Sequence, residues 1–450
     1  MVVIILFCVV VTIFVSKWLF HSYLSPLGML GLTWGVSFLL LCIMTLSRFP
    51  LMESTWLVIL GAWLAFLFGA LLVGLNKNIS GTKERSSLVL TEGYFKMLRI
   101  LSILALLGGI RFAVIVVGRV GWGTLLTDSI NFRHTITAGE FSMGTVTYFF
   151  NGCIFASAAL GGIAAANNRR AFLSYLTYMP LLGAVLVDLF SFGRAHIITT
   201  MGIFITGYVA SRASSKTGLW KINSKNIGMI IGLLIIVGIP FAYITRARGR
   251  DITFENIPRL IQDYSSNISQ TWYLLDALVA RQLPLTWGIN TFFPAAKILY
   301  GLGLLDTNPQ YIRLFQETIW VPIGGGSNTY TLLGGMYADF GGLGSFGLFF
   351  LLGLLTSYVF VRYRRRPKLW SIVALSFVYP FLFLSIQSNM FGSLESYVGL
   401  FLALGSAVLI GRDNHSRQLG YHGVQEEVFA DMPLQSERGT SNTSAFQESG

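Results

Sequence analysis

A chain of 450 residues that is 54% hydrophobic and only 12% charged, with mean hydropathy +0.65, is not a soluble domain, in which about a quarter of residues are charged. The formal charge of +12 is not read as nucleic-acid affinity, because Lys and Arg in a membrane protein mainly set orientation. Cys8, Cys42 and Cys153 lie in apolar segments without metal-ligand spacing, which argues against a disulfide framework or a zinc site.

A bilayer is crossed by about 20 apolar residues. By that measure the sequence predicts an all-α polytopic membrane protein with about eleven spans. Their limits are 1–16, 26–47, 54–74, 94–118, 142–166, 171–190, 195–211, 227–246, 332–361, 371–388 and 395–411. The first segment has no basic stretch before it and no A-x-A pattern, so it reads as a span and not a removed signal peptide. Spans six and seven are nearly continuous, joined by Ser191-Phe192-Gly193-Arg194.

Alternate connections divide the basic residues. One set holds Lys17, then the group from Lys77 to Arg99, then Arg169 and Arg170, then the group from Arg212 to Lys225, and finally Arg362 to Lys368. This dense set in short connections marks the cytoplasmic side. The N-terminus then lies outside, the C-terminus inside, and residues 1–411 form one integral membrane domain. The other set is Arg48, Arg119, Arg133, Arg194, Arg246, Arg248, Arg250, Arg259, Arg281, Lys297 and Arg313. It is nearly all Arg. Orientation needs only charge, whereas a planar fork for phosphate or carboxylate needs Arg. Headgroup anchoring is the bland alternative.

Residues 247–330 form a long extracytoplasmic loop. It carries Trp272, Tyr273, Trp287, Phe292, Phe293, Tyr300, Tyr311, Phe315 and Trp320, too aromatic for a disordered linker. Apolar pieces such as Thr271 to Val279 are expected to be short helices on the membrane surface or over a cavity. The polar stretch 412–450 reads as a disordered cytoplasmic tail.

Four groups of residues could carry chemistry. Arg194 follows Gly193 at the start of a helix, whose unpaired N–H groups suit an anion; Asp188 nearby could pair with it instead. Arg246, Arg248 and Arg250 alternate, so an extended segment would point all three one way, toward Asp251 and Glu255 or toward a diphosphate. Asp339, in Tyr337-Ala338-Asp339-Phe340-Gly341-Gly342, is costly near a span end unless paired or wet. It could orient an arginine or act as a general base or acid. His134 and His196 stand singly and read as hydrogen-bonded structural residues. Arg111 is the one charge deep in a span. No nucleotide-binding or metalloprotease motif occurs, so neither a cofactor nor a metal is expected.

With Phe192-Gly193-Arg194 before a span, Arg246-x-Arg248-Gly249 after one, and Asn328-Thr329-Tyr330-Thr331 before Tyr337-x-Asp339-Phe340-Gly341, the chain resembles the Wzy-type oligosaccharide repeat-unit polymerases. The Arg-x10-Gly spacing used for some of them is uninformative here, since 48 glycines in 450 residues produce it by chance. The resemblance implies a GT-C-like glycosyltransferase of the bacterial cytoplasmic membrane, which joins undecaprenyl-diphosphate-linked oligosaccharides into surface polysaccharide. It implies membrane lipids as surroundings, and a chain-length regulator and a flippase as partners. Arg194, Arg248 and Asp339 would be catalytic. Arg246, Arg250, Tyr330, Tyr337 and Asn328 would bind substrate. An O-antigen ligase shares the layout, and a lipid-linked oligosaccharide flippase is the non-enzymatic alternative.

Overall fold

A computed structural model describes residues 2–43, 50–76, 90–127, 145–167, 174–214, 238–240, 242–246, 257–309, 319–320, 326–327, 330–387 and 390–411. Arg248, Arg250, Asn328, His134 and the tail from 412 lie outside these, as does most of the 227–246 span. The described chain is a bundle of helices, with a single two-residue ladder pairing Ile319–Trp320 (β1) and Gly326–Ser327 (β2). The helices are α1 (Val2–Phe20), α2 (Pro26–Leu41), α3 (Glu53–Gly74), α4 (Glu92–Val120), α5 (Trp122–Thr127), α6 (Thr145–Asn167), α7 (Tyr175–Ser191) and α8 (Ala195–Ser214). They continue with α9 (Ile257–Arg281), α10 (Phe293–Gly301), α11 (Leu332–Arg365), α12 (Leu369–Leu384) and α13 (Leu394–Gly411). Five of them, α3, α4, α6, α11 and α13, are long and apolar enough to cross a membrane. This is an all-α membrane protein.

Helices meet through glycine. A Cβ on Gly69 would lie 2.1 Å from the Phe350 carbonyl oxygen, and one on Gly353 would lie 2.1 Å from that of Phe66. So α3 and α11 touch backbone to backbone, the contact that small residues permit between apolar helices. Gly162 of α6 meets Phe204 of α8 in the same way. We call the end of the bundle that holds Arg194 the upper end. At the lower end Tyr363 donates to the Ala210 carbonyl (2.7 Å) and Asn167 to Ser211 (2.5 Å).

The expected surface helices around Thr271 to Val279 are instead the second half of α9, a 25-residue helix driven into the bundle. Trp272, Leu274 and Leu275 are fully buried. Trp272 stacks on Phe38 (4.5 Å between centroids) and meets Trp34 edge-on (5.3 Å). Trp34 also meets Trp63 (5.6 Å) and Phe349 (5.5 Å). Three buried indoles find acceptors: Trp34 on Ser385 (3.1 Å), Trp63 on Thr12 (2.8 Å) and Trp272 on Ser37 (3.3 Å). One turn beyond Trp272, Asp276 accepts from the Met52 N–H (2.9 Å) and the Thr55 hydroxyl (2.6 Å). It thereby holds the start of α3 from another helix, through the backbone N–H of its N-cap residue and a side-chain hydroxyl of its first turn. Burial of one apolar face, plus this tie, explains why a mostly polar stretch inserts.

The predicted span 332–361 is broken at Gly341, whose φ of +66° and ψ of −168° only glycine adopts readily. The helix kinks there, and its first segment ends against other elements: the Leu332 N–H donates to the Ser385 carbonyl (2.7 Å), Ser385 accepts from Trp34, and Trp34 packs on Phe349. Asp339 stands at that bend.

Candidate functional site

Several polar side chains gather at the upper end, where α7 turns into α8. Phe192 takes the left-handed conformation (φ 50°) and ends α7. Gly193 follows because a Cβ there would lie 2.8 Å from Asp188 Oδ1. The turn folds Asp188 back onto the first N–H groups of α8. Its Oδ2 accepts from the Ile197 N–H (2.8 Å), and its Oδ1 accepts from the His196 N–H (3.4 Å) and ring Nδ1 (3.1 Å). Two expectations are corrected. The helix start is not open to an external anion, since Asp188 already occupies it. Nor does Asp188 pair with Arg194, since its partner is His196.

Arg194 is released from that pairing. Its Nη2 donates to the Thr245 hydroxyl (2.9 Å), on the short helical stretch 242–246. Arg246, the next residue, is exposed. Two of the arginine segments singled out in the sequence thus lie side by side, although about fifty residues separate them.

His196 connects this turn to two further helices. Its ring stacks on Phe155 (6.1 Å, 18°), and its Nε2 lies 3.4 Å from Asn151 Nδ2 and 3.8 Å from Glu395 Oε1. Asp188 is sealed behind the ring, with 1% of its side chain exposed, whereas His196 and Glu395 keep 21% and 18%. Asn151 Oδ1 is buried without a hydrogen-bond partner. One turn earlier on the same face of α6, Thr147 accepts from Arg111 Nη1 (2.7 Å). Lys297 of α10 stands 6.0 Å from the Tyr148 ring. Arg111 therefore serves the upper end of the bundle. His196 is part of an array, not a lone histidine. Neither Glu395 nor Asn151 was singled out in the sequence, and Lys297 appeared there only as one of the outer basic residues. An acidic residue at the start of the last span was the available signal for Glu395.

Asp339 departs from expectation. It is fully buried. It accepts from the Thr286 hydroxyl, the Asn290 N–H (3.0 Å) and side-chain amide (3.1 Å), and the Thr291 N–H. Backbone bonds from Thr286 to Ala338 (3.2 Å) and from Trp287 to Asp339 (3.1 Å) complete the junction. None of these partners is an arginine, and both carboxylate oxygens are engaged. Asp339 staples the 282–292 loop to the bend in α11, so the roles of arginine orienter and general base are withdrawn. Tyr330 is also fully buried, beneath the Thr331 cap of α11, and would reach a sugar only if that packing opened. Tyr337 is half-buried against the core. From the stapled loop, Phe292 packs on Phe391 (6.0 Å), just before the helix that carries Glu395. The staple thus sets the loop against the His196 array without joining it.

No protein family, curated protein or solved structure matches this chain.

Proposed function

We propose that this chain is a lipid-linked oligosaccharide polymerase. It would be a GT-C-like glycosyltransferase with about eleven spans in the bacterial cytoplasmic membrane and its upper end outside. Its substrates would be undecaprenyl-diphosphate-linked repeat units, and a flippase and a chain-length regulator would be its natural partners. The observation that carries the reading is the contact of Arg194 with Thr245, which ties Arg194 to the short helical stretch that ends in Arg246. A leaving diphosphate accumulates negative charge, and guanidinium groups fixed in advance stabilise it without reorganising. Arg111 and Lys297 at the same end add to the positive field. Exposed Trp287 and Tyr300 would supply flat apolar faces for sugar rings.

The test uses the source strain with the gene deleted and complemented by variants at matched protein levels. Arg194→Ala is expected to remove the long polysaccharide and leave single repeat units, consistent with a loss of roughly 100-fold or more for a lost charge-stabilising donor. Arg194→Lys, which keeps charge and loses the fork, is expected to fall between. Full-length polymer with Arg194→Ala overturns the proposal. The break at Gly341 favours a second reading, since carriers often contain discontinuous helices. A carrier would leave lipid-linked units trapped on the cytoplasmic side in the deletion strain, whereas a polymerase would leave them outside.

A further inference from the structure

Resting on the polymerase reading, we infer that His196 is the general base for the attacking sugar hydroxyl, with Asp188 as its positioning residue and Asn151 as the acceptor for a second hydroxyl of the same sugar. Asp188 only accepts hydrogen bonds, so His196 Nδ1 carries the proton of the neutral ring, and the lone pair on Nε2 accepts a long bond from Asn151 Nδ2 (3.4 Å). That nitrogen lies on the partly open side of the ring, toward Asn151 and Glu395. Asp188 is sealed on the opposite side and is itself held by two N–H groups at the start of α8. Phe155 fixes the plane of the imidazole. A base oriented from behind by a buried acid, with a lone pair on its other nitrogen that a substrate hydroxyl can take over from the long Asn151 contact, is the arrangement that activates a hydroxyl.

Asn151 points to the same ligand. Its Oδ1 is buried and has no partner, a costly state that a second hydroxyl of the acceptor sugar, beside the attacking one, would relieve. As the acceptor O–H proton moves to Nε2, the oxygen bonds to the anomeric carbon. The bond from that carbon to the phosphate oxygen breaks, and its electron pair leaves with the diphosphate, beside Arg194. The imidazolium that results faces Asp188 on one side and Glu395, 3.8 Å away, on the other. It then returns its proton to water. The titratable groups that face His196 are Asp188 from α7 and Glu395 from α13; Asn151 and Phe155 of α6 complete its surroundings.

The experiment compares wild type, His196→Gln, Asp188→Asn and Arg194→Ala as full-length protein in lipid nanodiscs. Binding is probed with undecaprenyl diphosphate. Transfer is followed with lipid-linked saccharide extracted from the gene-deleted source strain. His196→Gln is expected to bind the diphosphate like wild type and to lose about 100-fold or more in transfer. Wild-type transfer is expected to fall with acidity, as the base becomes protonated, and His196→Gln is expected to lose that limb. Asp188→Asn is expected to lower kcat more than KM and to shift the acid limb, which a purely structural role would not do. Arg194→Ala is expected to lose binding as well. If wild type transfers and His196→Gln matches it in rate and pH profile, the assignment of His196 is overturned while the polymerase reading stands. If wild type transfers nothing, both fall.

Discussion

Removing the Asp339 side chain tests the staple between the 282–292 loop and the bend of α11. Asp339→Ala takes the acceptor away from the Thr286 hydroxyl, the Asn290 amide and the N–H groups of Asn290 and Thr291. Asn290 and Thr291 are fully buried, so their N–H groups reach water only if the loop lifts. A buried donor left without a partner costs about 1–3 kcal/mol. Breaking a buried charged network typically costs about 3–5 kcal/mol. The lower bound, near 3 kcal/mol, corresponds to roughly a 100-fold rise in the open population of the loop. Arg281 ends α9 just before this loop, and tryptic cleavage there requires the flanking backbone to open. When reclosing is fast, the cleavage rate follows the open population. In solubilised full-length protein, Asp339→Ala is therefore expected to be cut after Arg281 on the order of 100-fold faster. Asp339→Asn keeps one acceptor oxygen and should lie between. Cleavage of Asp339→Ala at the wild-type rate would refute the staple.

Two further substitutions probe the elements that the hydropathy pattern did not foresee. Gly341→Ala imposes φ +66°, ψ −168° on a residue with a Cβ and is expected to cost about 1–3 kcal/mol. A lowered melting temperature in detergent checks it, and an unchanged one would mean that the bend is not fixed at this residue. Trp272→Ala removes an indole packed on Phe38 and Trp34 and is expected to cost about 3–5 kcal/mol. Undiminished stability would return α9 to the membrane surface.

The sequence alone determined the class of this protein and the approximate place of its apolar helices. Hydropathy is a sum over neighbours in the chain, so α3, α4, α6 and α13 emerge with nearly their observed limits. It also exposed Arg194 and Arg246, because basic residues stand out against apolar flanks. What it could not contain is which polar groups meet. Asp188 was read beside Arg194, yet its partner is His196, two residues further along. The choice turned on the left-handed Phe192 and the crowding at Gly193, which aim the carboxylate at the start of α8. His196 meets Glu395 from the far end of the chain, and Asp339 meets Asn290 from a loop, by the rotation and height at which helices pack. Trp272 lies in an apolar piece too short to span a bilayer, so it read as part of a short helix on the membrane surface or over a cavity. Only the tertiary structure offered Phe38, Trp34 and Ser37 to enclose it, and that gain in packing outweighs the cost of drawing a polar stretch into the bundle.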